Sequence, residues 1–116
     1  MQLSTYAKEC YTIVTVKGRL DSMTADNLQA SLTTLYNEGA IFLIIDCREL
    51  EFLSSAGMRA ILICHREIEK LSGRLIFTGF SAQVLEVLDL SGIGKYIESC
   101  QELEEAERII FRIQQK

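Results

Sequence analysis

With 116 residues the chain has room for one domain with a real core and not for two. Twelve basic against sixteen acidic residues give a formal charge of −4, and the scattered lysines and arginines exclude a nucleic-acid-binding stripe. No apolar run approaches the ~20 residues that cross a bilayer, so no membrane partner is expected.

The N-terminus, Met1 to Tyr6, has no basic segment leading into a long apolar one, which predicts no secretory signal and a cytoplasmic protein. Four cysteines, Cys10, Cys47, Cys64 and Cys100, are irregularly spaced without a C-x-x-C pair or a histidine cluster. Free, mostly buried thiols follow, with no metal and no cofactor.

In chain order, Leu3 to Lys8 and Tyr11 to Lys17 are rich in β-branched and aromatic residues and read as two strands with a hairpin through Glu9 and Cys10. Gly18-Arg19-Leu20-Asp21 is expected to leave the sheet. Ser22 or Thr24 then caps a helix whose Ala25, Leu28, Leu32 and Leu35 share a face, and Gly39 stops it. Ala40 to Ile45 is a continuous apolar run, the pattern of a central parallel strand covered on both faces, placed at Ile41 to Asp46.

Cys47 to Leu53 reads as a loop, ending in Ser54-Ser55. From Met58 onward Ile61, Leu62, Cys64, His65, Ile68 and Leu71 recur at three- and four-residue spacing, so a helix starts near Ser54 or Ser55 and one of these serines is its N-cap. Its first-turn amides are unpaired and carry partial positive charge, so a phosphate on a serine here can be accepted without unfolding. Leu75 to Thr78 forms the next strand after Ser72-Gly73, making a parallel crossover. Ser81 caps a helix bearing Val84, Leu85, Val87 and Leu88, closed near Ser91-Gly92. Lys95 to Ile97 is expected as a last strand, and Ser99 with Glu102 as a capping box before Leu103, Ala106, Ile110 and Ile113. The order β-β-α-β-α-β-α-β-α predicts a single α/β domain over residues 1–116, a mixed, mostly parallel sheet with helices packed on it.

Three segments resemble the STAS domain family, and within it the stand-alone bacterial anti-sigma factor antagonists. Gly18-Arg19-Leu20-Asp21 with Thr24-Ala25 resembles the opening G-x-L-D-x-x-T/S-A motif. Ile44-Ile45-Asp46 through Phe52-Leu53-Ser54-Ser55-Ala56-Gly57-Met58 is similar to the central signature, and Val84 to Ile93 resembles the late helix and turn. The resemblance implies a binding module rather than an enzyme. Its partner is an anti-sigma factor that is also a serine kinase; the unphosphorylated protein binds it and releases its sigma factor. Phosphorylation of the serine two residues before the glycine, here Ser55, ends binding, and a metal-dependent serine phosphatase restores it. The resemblance also implies that Asp21 lies near the serine loop and that the helix after Ser55 faces the partner. The implied surface is Asp21, Ser54, Ser55, Ala56, Gly57, Met58 and Arg59. Where the family usually has an acid before the phosphoserine this chain has Ser54, the alternative acceptor. Arg59, four residues after Ser55, is placed to reach back toward a phosphate.

Plainer roles stand beside these. Either serine can be only a cap, Asp21 a turn residue, Asp46 a strand-end carboxylate satisfied by loop amides, and Met58 either core filler or contact. A hydrolase would need His65 beside the serine, yet ten residues of helix separate them by roughly 15 Å, and G-x-S-x-G is lacking. A receiver domain with Asp46 as acceptor needs an acidic pair after the first strand, where Lys17-Gly18-Arg19 stands. The alternative within the family is a subunit of a lipid-transport complex or stress-sensing scaffold in which the serine need not be phosphorylated.

Overall fold

The computed structural model describes residues 1–115. Its elements are β1 (Gln2–Ala7), β2 (Thr12–Leu20), α1 (Ala25–Asn37), β3 (Phe42–Leu53), α2 (Ser55–Lys70), β4 (Arg74–Thr78), α3 (Ala82–Ser91), a 3-10 helix (Ile93–Tyr96), β5 (Glu98–Cys100) and α4 (Leu103–Gln114). The strands form one sheet in the order β1-β2-β3-β4-β5, with β1 antiparallel to β2 and the other neighbours parallel.

Alternation along the strands divides the side chains between two layers. Val14, Val16, Leu43, Ile45, Leu75 and Phe77 face α1, α2 and α3, where Leu32, Ile61, Ile68 and Val84 complete the main core. The intervening Ile13, Ile44 and Ile76 face α4 and are covered by Ala106 and Ile110. Because β3 is buried on both sides, its apolar run shows no period-two pattern. The loop at its C-terminal end is therefore anchored to the middle of the molecule.

Five local expectations are corrected. The segment Gly18–Leu20 stays in the sheet, and β3 runs on from Asp46 to Leu53, because each supplies the other's partner: Gly18 pairs with Leu50, Arg19 with Phe52 and Leu20 with Leu53. Gly18, at φ +105°, permits the register shift that keeps this extension paired. The last strand is Glu98–Cys100 rather than Lys95–Ile97, since left-handed Gly92 leads into the 3-10 turn and Arg74 binds Glu98 across β4 and β5 at 2.8 Å. Ser99 consequently lies in β5, and Glu102 begins α4 without any side-chain cap. At α1 the cap position is Thr24, but its hydroxyl donates to the Arg19 carbonyl at 2.8 Å instead of capping the helix.

Candidate functional site

The start of α2 separates the roles of the two serines. Ser54 is the N-cap: its backbone is extended, at φ −92° and ψ 174°, and its Oγ accepts the Gly57 N–H at 3.2 Å. Ser55 is the first helical residue and its side chain is exposed. Met58 N–H donates to the Ser54 carbonyl at 2.9 Å. Among the described residues no hydrogen bond reaches the Ser55 and Ala56 amides, so two first-turn donors remain beside the Ser55 hydroxyl. The helix dipole adds partial positive charge at the same place.

Close packing fixes this helix end. Gly57 is buried, and a Cβ there would lie 2.6 Å from the Leu20 carbonyl oxygen and 2.9 Å from Leu53 Cδ1. Only hydrogen fits between α2 and the ends of β2 and β3. Met58 is 7% exposed and belongs to the main core, so of its two possible roles the fold assigns core packing. Among the seven residues of the implied surface, Ser55 and Arg59 are exposed, Asp21, Ser54 and Ala56 are half-buried, and Gly57 and Met58 are interior. Arg59 points to solvent with no ion pair among the described residues.

The Asp21 turn abuts the serines because Ser54 N–H donates to the Leu20 carbonyl at 3.0 Å. The Asp21 carboxylate accepts the Met23 N–H at 3.0 Å and, at 3.3 Å, shares the Thr24 hydroxyl proton with the nearer Arg19 carbonyl, with Arg19 Nε 3.6 Å away. Partial burial alone would raise its pKa; these donors and Arg19 outweigh it and hold the carboxyl below its ordinary value. Arg19 also lies over Phe52, 4.1 Å from the ring centroid.

Asp46 is satisfied differently from the expectation. Instead of loop amides generally, it takes the Arg48 amide at 3.1 Å and a forked pair from the Arg48 guanidinium at 3.0 and 2.8 Å. This pins β3 at its register shift opposite Thr15 and Lys17, ahead of the serines. His65 sits on the same continuous helix as Ser55, ten residues on, with Nε2 3.7 Å from Glu69, so no serine–histidine pair forms. All four thiols are free; Cys47 and Cys64 are buried, and burial pushes the Cys64 thiol up to about 12. Not read from the sequence was the exposure of Phe52 and Val87, which line one groove next to Leu53, and of Leu90 further along α3. For Val87 and Leu90 the signal was an apolar residue off the Val84–Leu88 buried face.

The family model described as STAS domain matches residues 2–106. The chain belongs to the STAS domain family. This STAS domain is 29% identical over 80 residues to a Bordetella bronchiseptica protein provisionally named anti-sigma factor antagonist BtrV, covering 69% of each chain. It is 26% identical over 98 residues to the anti-sigma F factor antagonist of Lysinibacillus sphaericus, covering 84% of each. Among solved structures it shares its fold with SpoIIAA in the unphosphorylated form, at TM-score 0.71 and 24% identity over 97% of this chain and 96% of that one. The phosphorylated Bacillus SpoIIAA gives the same TM-score, 0.71, and identity, 24%, over 93% and 99% of the two chains. A stressosome component matches at TM-score 0.72 and 16% identity, over 97% of this chain and 100% of that one. As a STAS domain the protein is a binding and regulatory module rather than an enzyme.

Proposed function

We propose that this STAS domain is an anti-sigma factor antagonist whose unphosphorylated form binds an anti-sigma factor serine kinase and frees the sigma factor, and that phosphate on Ser55 ends the binding. The observation that carries the reading is the exposed Ser55 hydroxyl at the first position of α2, beside a Ser54 whose oxygen is already committed to Gly57 N–H at 3.2 Å. The two relatives named as anti-sigma factor antagonists supply the partner class.

A kinase acting here must bring the γ-phosphate of its nucleotide in line with Ser55 Oγ. Before transfer a neutral hydroxyl faces the triphosphate. Afterwards a phosphoserine of about −1.5 to −2 charges faces the remaining diphosphate, and the formal charge falls from −4 to roughly −6. Within the domain the Ser55 and Ala56 amides and the helix dipole accept the phosphate, each such interaction being worth on the order of 0.3–1 kcal/mol when exposed. In the complex the same dianion must be desolvated against like charge, which costs several kcal/mol. A penalty of ~3 kcal/mol weakens affinity more than a hundredfold. The equal likeness to phosphorylated and unphosphorylated SpoIIAA supports a local block over a refolded state. A serine phosphatase then resets the switch.

The experiment compares Ser55→Ala, Ser55→Asp and Ser54→Ala with the purified kinase. Ser55→Ala takes no phosphate yet binds, and Ser55→Asp binds poorly with amide shifts confined to the loop. Phosphate that persists in Ser55→Ala and vanishes in Ser54→Ala would move the acceptor back one residue. A second reading, a subunit of a stress-sensing scaffold, is favoured by the stressosome likeness. It requires co-assembly with other STAS chains that is indifferent to Ser55→Asp.

A further inference from the structure

Beside the serines, the end of β3 and the outer face of α3 form an open groove of about 350 Å³. Phe52 and Val87 line it at 39% and 37% exposure, with Glu51, Gln83 and Glu86 at the margins. Leu90 is 80% exposed and stands three residues beyond Val87, so Gln83, Val87 and Leu90 form one stripe along α3. The buried face of the same helix is carried by Val84 and Leu88. Val87 and Leu90 therefore contribute nothing to the core. Apolar side chains left exposed in a group at one helix face and its groove suit a contact site better than ones scattered singly.

Two features identify what it contacts. The groove adjoins the serine site along the chain, since its lining residues Glu51, Phe52 and Leu53 lead directly into Ser54. Its rim is one-signed: Glu51 and Glu86 stand at its margins, Asp89 is exposed on the same helix, and among the described residues no lysine or arginine lines it. Arg19, over the Phe52 ring, is engaged with Asp21. We infer that this groove takes an apolar projection with a basic rim from the same kinase, a second foothold beside the Ser55 contact; the inference rests on the function proposed above. The arrangement suits a switch. The groove holds the partner by burial and opposite charge, while the phosphate acts only at the serine, so binding strength and its control are carried by different residues. Apolar anchors surrounded by charged rim residues are the usual source of affinity and steering, respectively.

The test uses the full chain and the purified anti-sigma kinase of the source organism, loaded with ADP, by titration calorimetry at two salt concentrations. Val87→Gln and Leu90→Gln are expected to weaken binding by about tenfold each, from the apolar area no longer buried. Their thermal transitions stay at the wild-type position because neither side chain is in the core. Glu86→Lys weakens binding and flattens its salt dependence. Tyr6→Gln, on the distant strand β1, changes nothing. Wild-type binding with undiminished Val87→Gln and Leu90→Gln binding would overturn the groove and leave the switch standing. Absence of both wild-type binding and Ser55 phosphorylation would overturn the proposed function and the partner named here. Self-association of the wild type that Leu90→Gln abolishes would reassign the groove to a second copy of this chain and overturn the inference.

Discussion

Replacing Gly57 by alanine tests whether the helix start is as tightly set as its packing requires. Alanine gains up to about 1 kcal/mol over glycine inside a helix. Against that gain, the new Cβ would lie 2.6 Å from the Leu20 carbonyl oxygen and 2.9 Å from both Leu20 Cγ and Leu53 Cδ1. The nearest atom is backbone in a paired strand, so it cannot swing aside. Overpacking of this kind costs typically 1–3 kcal/mol, and the shift also loosens the Ser54 N–H bond to the same carbonyl, 3.0 Å long, worth about 1 kcal/mol more. The clash wins by about 2 kcal/mol. With an unfolding entropy of about 2 cal/mol/K per residue over 116 residues, each kcal/mol is worth about 4 °C, so calorimetry is expected to show Tm lowered by about 8 °C. Gly94→Ala is the control, because its Cβ meets nothing nearer than 3.6 Å, and its Tm stays within ~2 °C of wild type. A Gly57→Ala protein as stable as wild type would refute the reasoning, since helix propensity would then outweigh the packing at the serine site.

Ser54→Ala removes the cap and is expected to lower stability by about 1 kcal/mol in urea unfolding, whereas Ser55→Ala leaves it unchanged; equal losses would mean that both hydroxyls cap. Arg48→Met strips the guanidinium from the buried Asp46 carboxylate, and denaturant unfolding is expected to show a loss of about 2 kcal/mol; no loss would mean that the register shift of β3 holds without the pair. Asp21, whose carboxyl is held below its ordinary 3.8, contributes stability present above that value and lost as pH falls through the lower folded value. Asp21→Asn is therefore expected to reduce the acid-side fall in Tm, and an unchanged slope would refute the assignment. Thiol titration of native protein should modify exposed Cys10 fast, Cys100 slowly, and Cys47 and Cys64 only on unfolding.

What the sequence determined by itself is what local patterns encode. The apolar run Ala40 to Ile45 marked the central strand, whose first residue is Phe42, and the repeat from Ile61 to Ile68 marked a helix against it, because burial imposes those patterns on neighbouring residues. The STAS resemblance rested on motifs contiguous in the chain and so was equally legible. Tertiary structure alone decided the rest. Arg48, Glu49 and Glu51 look like loop residues, and they lie in a strand because Lys17 to Leu20 pair with Glu49, Leu50, Phe52 and Leu53, leaving Arg48 and Glu51 at the register shifts between them. Which serine caps α2 depended on Gly57 seating against Leu20, which fixes the register of the first turn. Met58 went to the core, while Phe52, Val87 and Leu90 came together at the surface, through the same cause: the crossing of β3, α2 and α3 brings distant residues side by side, and no periodicity within one element records what the next element covers.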